Sequence, residues 1–239
     1  MKKFNGFTLA EVLITLAILG IVAALTLPVL MSNIEKNSWI TGLKNGKSNL
    51  DRAFSQMLAE NNTDTLDEVP LWEDSSKQDS EMKRYFKIDK IGSGRDEKIY
   101  KTDYSVTTEL SGIKRYTLPN MSILNITFHD ATHNDGESTD EKKNCSDILK
   151  AGGNICENYA SIYLDVNGKK GPNTIGKDIF YFYLSREGKL FPFGGDDINI
   201  FDGSTKWNTD EGCKGDLNKI KDPKTCTARV IDNEYNMDY

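Results

Sequence analysis

Residues Phe7 to Leu30, FTLAEVLITLAILGIVAALTLPVL, form an apolar run of 24 residues in which Glu11 is the one ionisable side chain. At about 1.5 Å of rise per residue a helix of that length spans roughly 36 Å, enough to cross a hydrocarbon core of about 30 Å. A run this long at the very start of a chain predicts a membrane span rather than a core helix. The six residues before it carry Lys2 and Lys3 and no acid. That places the short leading end on the cytoplasmic side and the bulk of the chain on the translocated side.

Two simpler readings compete with a specialised one. Val22-Ala23-Ala24 offers the small residues of a signal-peptidase site, but the apolar run continues past it, and Glu11 is out of place in the apolar region of a signal peptide. A plain signal anchor leaves Glu11 as an accident. A carboxylate inside a span costs about 2.5–3.5 kcal/mol on insertion scales and usually has a partner. No Lys or Arg lies within the span to supply one. A new amino terminus would: a cut between Gly6 and Phe7 exposes an ammonium on Phe7 at the depth of Glu11 in a neighbouring chain. The carboxylate then becomes a registration device between subunits.

A short basic leader ending in Gly6, then Phe7-Thr8-Leu9-Ala10-Glu11-Val12-Leu13-Ile14 and an apolar helix, resembles the type IV pilins and type II secretion pseudopilins. The resemblance covers Met1 to about Leu30. It implies a prepilin peptidase that cuts after Gly6, methylation to N-methyl-Phe7, and assembly through Phe7 and Glu11 into a helical filament. The implied partners are further copies and related pilin subunits, with an inner-membrane assembly platform and its ATPase. The implied location is the bacterial inner membrane, then a periplasmic or cell-surface filament. The chain itself has no GxxxxGK[ST] phosphate loop.

Helical periodicity continues beyond the span. Trp39, Ile40, Leu43, Leu50, Phe54, Met57 and Leu58 recur at spacings of three, four and seven, with Lys44, Lys47, Asp51 and Arg52 on other faces. One helix from Phe7 to about Glu60 is expected, apolar all round in its first half and amphipathic in its second. Pro28 predicts a kink or local melting between the halves. Gly20 with Ala24, and Gly42 with Gly46, are spaced for close helix–helix contact or by coincidence.

The division expected is a leader at 1–6, a membrane or filament-core helix at 7–30, its amphipathic continuation at 31–60, and an exported head at 61–239. The expected fold class is α+β, a long stalk helix with an antiparallel sheet laid on it. Within the head, Ser75 to Phe86 reads as a helix capped by Ser75 or Ser76. Lys114 to Phe128, Ala160 to Val166 and Ile179 to Leu184 read as strands. Arg186-Glu187-Gly188 reads as a turn into Lys189 to Phe193, and Asp130 to Asn144 as a surface loop.

Cys145, Cys156, Cys213 and Cys226 all lie in the exported portion, where disulfides form. Three pairings are open, and sequence proximity favours Cys145–Cys156 with Cys213–Cys226. Zinc is the rival, but no CxxC pair exists. The segment DVNGKKGPNTIGKD, Asp165 to Asp178, carries oxygen ligands at alternating positions. Asp165, Asn167 and the Lys169 carbonyl, completed by Asn173 and Asp178, would suit calcium, with Gly168 easing the turn. The alternative is a Gly/Asn-rich turn between two strands. His129 and His133 read as members of a polar loop, and Asp196-Asp197 as a turn.

The charge balance excludes some functions. The chain is 38% hydrophobic, too apolar for full disorder. Its net charge of −6 becomes −8 without Met1 to Gly6, 28 basic against 36 acidic residues, which argues against nucleic-acid binding. No GxSxG, HExxH or GxGxxG is present, so a structural subunit is expected rather than an enzyme. The runner-up is a membrane-anchored, adhesin-like module that binds a ligand through its head.

Overall fold

The computed structural model describes residues 8–71, 75–94, 98–101, 105–107, 110, 113–128, 158–195, 206–210, 212–214 and 220–237. The chain divides into two compact units, Met1–Ser38 and Trp39–Tyr239. It is α+β as expected, a long N-terminal helix followed by a head built on an antiparallel sheet.

Helix α1 spans Leu9–Asn61 and runs through Pro28, so of the kink or local melting expected there, the melting is not seen. A proline removes one N–H from the ladder, and the turns on either side keep theirs. In the first unit the apolar side chains point outward on every face: Leu9, Leu16, Ile21, Leu25 and Val29 are all more than half exposed.

In the second unit α1 becomes one-sided. Trp39, Leu43, Leu50, Ala53, Phe54 and Met57 are buried, with Ile40 and Leu58 partly so. This is the face predicted by the spacing. Lys47 and Asp51, one turn apart on another face, form an ion pair at 2.7 Å. The helix stops at Asn62, whose φ of +52° is left-handed. The N–H groups of Asn62 and Thr63 donate back to the carbonyls of Ala59 and Leu58 at 3.3 and 3.1 Å, a Schellman closure.

Among the described residues the main sheet has six strands, all antiparallel, in the order β1 (Lys90–Ser93), β4 (Lys114–Thr117), β5 (Ile123–Phe128), β6 (Asn158–Asp165), β7 (Ile179–Ser185) and β8 (Leu190–Pro192). Strands β2 (Ile99–Tyr100) and β3 (Val106–Thr107) pair separately. Alternation along the strands sends Tyr116, Leu124, Ile126, Ile162, Leu164, Phe180 and Phe182 into one core with α1. Tyr163, Ile179 and Tyr181 point to the other face, in a second cluster with Ile99, Leu110, Ile175 and Phe193.

Several local expectations need correction. Lys114 to Phe128 is two strands joined by a turn. Leu118 N–H donates to the Ser122 carbonyl, Asn120 Oδ1 accepts from Ser122 N–H and hydroxyl, and Met121 has φ +67°. The Pro119-Asn120 pair is turn chemistry that the apolar flanks concealed. Helix α2 covers Ser75–Tyr85, so Ser75 is its first helical residue and neither serine is the flanking cap. The short strands β1 to β3 and the terminal helix α3 (Cys226–Asp232) were not expected at all. The hairpin through Gly188, φ +72°, is as predicted, with Gly188 N–H donating to the Ser185 carbonyl at 3.1 Å.

Gly42 and Gly46 have a use within the chain. A Cβ on Gly42 would stand 2.7 Å from Cβ of Val166, and one on Gly46 would overlap the side chain of Leu164. The pair thus lets α1 approach β6 closely, where the expectation was open between a contact of stalks and coincidence. Their spacing of four puts both on one face, which here meets the sheet. Gly20 has nothing within 4 Å.

Candidate functional site

The N-terminal site begins at Thr8, because Gly6 and Phe7 lie outside the described residues. Thr8 precedes the first helical residue, Leu9, and Glu11 stands in the first turn. One carboxylate oxygen of Glu11, Oε2, accepts the Thr8 backbone N–H at 2.8 Å and its hydroxyl at 2.9 Å. The Thr8 hydroxyl in turn accepts the Glu11 N–H at 3.2 Å. This is a capping box, Thr-x-x-Glu, in which each residue satisfies the other's orphan donor. Sequence reasoning missed Thr8 as a partner for Glu11, although the spacing announces it. The second oxygen, Oε1, accepts no hydrogen bond among the described residues.

The segment Asp165 to Asp178 lies between two packed neighbours. Gly168, φ +66°, sits against the Met121 carbonyl of the β4–β5 turn with no room for a side chain. Gly176, φ +86°, faces the Pro223 carbonyl, 2.8 Å from where a Cβ would be. Asp165 Oδ1 accepts the N–H groups of Asn167 and Gly168 at 3.2 and 2.7 Å. Asp178 accepts Asn173 N–H on Oδ2 at 2.8 Å and Thr174 N–H on Oδ1 at 2.6 Å. Burial pushes the Asp178 carboxyl up from its ordinary value, against the pull of these N–H donors. Asn167 Nδ2 donates to the Gly171 carbonyl at 3.2 Å, while Lys169 stands exposed at the tip. Asp165, Asn167 and Asp178 do come together: Asp165 Oδ1 and both oxygens of Asp178 are aimed at backbone N–H groups, whereas Asn167 Oδ1 is buried without a hydrogen bond among the described residues. The hydrogen-bonded oxygens of Asp165 and Asp178 fit the turn alternative. Among the described residues, no three His, Cys, Asp or Glu side chains gather as a metal cluster.

Cys213 and Cys226 form a disulfide across a separation of 13 residues. Cys145 and Cys156, like His129, His133 and Asp196-Asp197, lie outside the described residues. Around the bridge, Cys213 N–H donates to Thr225 Oγ1 at 2.9 Å and Arg229 Nη1 to the Cys213 carbonyl at 2.6 Å. Thr227 Oγ1 accepts Tyr181 N–H at 2.8 Å, extending the edge of β7 beyond the short β8. The terminal segment is therefore pinned to the sheet by covalent and polar links.

Among the described residues the chain carries one helix long and apolar enough to cross a membrane, joined to a folded α+β head. Residues 1–27 match the prokaryotic N-terminal methylation motif, the prepilin-type signal of type IV pilins and pseudopilins. No curated protein and no solved structure matches the chain. The motif and the helix together are consistent with a membrane-anchored precursor whose head lies outside the cytoplasm.

Proposed function

We propose that this chain is a structural subunit of a type IV pilus-like filament or of a type II secretion pseudopilus. A prepilin peptidase cuts it between Gly6 and Phe7, the new amino group is methylated, and the subunits polymerise through the N-terminal helix. The observation that carries this reading is the first half of α1, apolar on all faces and exposed on all faces, most of it within the methylation motif matched at residues 1–27. Such a surface is stable in lipid or against other helices and nowhere else.

Transfer from lipid to a filament core gives little hydrophobic gain, because lipid tails are as apolar as leucine. Polar contacts must then set the register, and Glu11 is placed to make one. Its Oε2 closes the cap on Thr8, and Oε1 is left for the Phe7 ammonium of a neighbouring subunit. A head-to-tail contact of this kind does not close on itself and propagates a helical filament. The assembly platform and its ATPase would supply the work of extraction.

The test is the N-terminal peptide of the native protein, measured by mass spectrometry from membranes and from material sheared off cells. Methylated Phe7 in both fractions is expected. A terminus near Ala24 would make this an ordinary secreted protein, and an intact Met1 confined to membranes would leave a simple anchor.

A further inference from the structure

The sheet face opposite α1 carries one residue from each of five strands in a single register: Gly92, Arg115, Asn125, Tyr163 and Tyr181. Their chain neighbours Tyr116, Leu124, Leu164 and Phe182 belong to the main core, so the row faces away from it. Two members of the row are polar groups buried without the partners that burial calls for. Arg115 is 7% exposed and Asn125 0%. Arg115 Nε and Nη1, and both polar atoms of the Asn125 amide, are buried with no hydrogen-bond partner among the described residues. Among the described residues no carboxylate pairs with Arg115.

A guanidinium and a primary amide withdrawn from water with their donors unmet destabilise a fold, and buried groups of this kind normally have partners. The geometry gives them a common direction. The Arg115 guanidinium lies across Gly92, its Nη2 3.2 Å from the place a Cβ would take there. Gly92 is on β1, the edge strand, and is partly exposed. The place of its missing side chain is taken by the guanidinium, and such a close approach is a common reason for a glycine within a strand. Arg115 and Asn125 are directly opposite each other on antiparallel strands, with Cβ atoms about 5 Å apart in such pairs. Beyond Asn125 the Tyr163 ring, 4.4 Å from that of Tyr181, closes the row as an aromatic wall.

We propose that Arg115 and Asn125 form a binding site for a peptide-borne carboxylate, beside Gly92 at the sheet edge. The guanidinium matches a carboxylate. The amide of Asn125, one acceptor beside its donors, matches the N–H and C=O of an adjoining peptide group. A chain-terminal carboxylate with its last peptide bond, or an aspartate with its own amide, presents both groups at that separation. The carboxylate comes from a second copy of this acidic chain or from another polypeptide.

The experiment uses the full chain in detergent micelles with 15N-labelled arginine, titrated with N-acetylglycine and, as the uncharged control, N-acetylglycine amide. The Arg115 Nε–H resonance, assigned by its loss in Arg115→Lys, is expected to shift and saturate with the carboxylate only. Asn125→Asp places a carboxylate of the chain's own opposite Arg115. It should raise the melting temperature and weaken N-acetylglycine by about tenfold or more. Gly92→Leu, at an edge position, should block binding while the near-UV circular dichroism stays native. A probe-independent shift that grows with protein concentration would assign the carboxylate to a second copy. Its absence, with the probe still binding, would assign it to another polypeptide. An Arg115 resonance unmoved at the solubility limit of the probe and across protein concentration would overturn the proposal. So would an equal response to the uncharged amide.

Discussion

Gly46 of α1 rests against Leu164 of β6 so closely that no methyl group fits between them. The contact sets the distance between helix and sheet at the centre of the head, where Leu43, Leu50 and Ile162 are all buried. Gly46→Ala gains about 1 kcal/mol of helix propensity but overpacks the core at a cost of about 1–3 kcal/mol. The second effect wins wherever Leu164 cannot move aside. The expected result for the full chain in detergent is a melting temperature lower by a few degrees, with a larger drop for Gly46→Val. Gly20→Ala, which meets nothing within the chain, should leave it unchanged. Equal melting temperatures for all four proteins would show that the sheet yields freely at Leu164.

Tyr116 links the sheet to α2. Its buried phenol donates to Asp79 Oδ1 at 3.0 Å, and Lys114 Nζ pairs with the same carboxylate oxygen at 2.7 Å. Burial, then the Asp79 charge and the hydrogen bond to it, raise the phenol well above its ordinary value near 10. A folded-state value above the unfolded one means stability that is fully present below about pH 10 and is lost as pH climbs beyond it. At neutral pH, Tyr116→Phe should cost about 1–3 kcal/mol in urea titrations. The gap between wild type and variant should close above about pH 10, since the variant has no phenol to ionise. A gap independent of pH would mean that Tyr116 ionises freely in the fold.

The capping box at Thr8 and Glu11 separates two roles that one carboxylate can combine. Glu11→Ala removes both the cap and the charge, whereas Glu11→Gln keeps an acceptor for the Thr8 N–H and loses the charge alone. Both variants should insert into membranes, since removing a carboxylate from a span makes insertion easier by about 2.5–3.5 kcal/mol. Both should give little sheared filament if the charge meets a neighbouring Phe7 ammonium. Wild-type yield from Glu11→Gln would leave capping as the whole role.

The Asp165–Asp178 segment offers a direct test of calcium. Asp165 Oδ1 and both oxygens of Asp178 already accept backbone N–H groups. EDTA should therefore leave the melting temperature in place, and millimolar calcium should not raise it. A calcium-dependent rise that disappears in Asp165→Asn would assign these residues to the cation instead.

Legibility in the sequence followed the length of each pattern. The buried face of α1 from Trp39 to Leu58 was readable because many residues repeat one spacing, and β6, β7 and the Gly188 hairpin because their apolar alternation is flanked by turn residues. The Pro119-Asn120 turn was missed because apolar residues on both sides resembled one strand. Strands of two residues such as β2 and β3 carry too few positions for any period to register. Arg115 and Asn125 are ten residues apart and ordinary in sequence, and only strand pairing makes them a site.

What the sequence determined by itself is therefore local and periodic: an N-terminal methylation motif, an apolar helix, its amphipathic continuation and an α+β head. Those features depend on which side chains recur at helical or strand spacing, and recurrence is written along the chain. The tertiary structure decided which surfaces meet. It turned Gly42 and Gly46 toward β6, directed the Asp178 oxygens to backbone N–H groups, and set an arginine and an asparagine in one register with buried polar atoms that have no hydrogen bond among the described residues. The reason is physical: a contact between residues distant in sequence depends on sheet order and packing distance, and neither has a local signature.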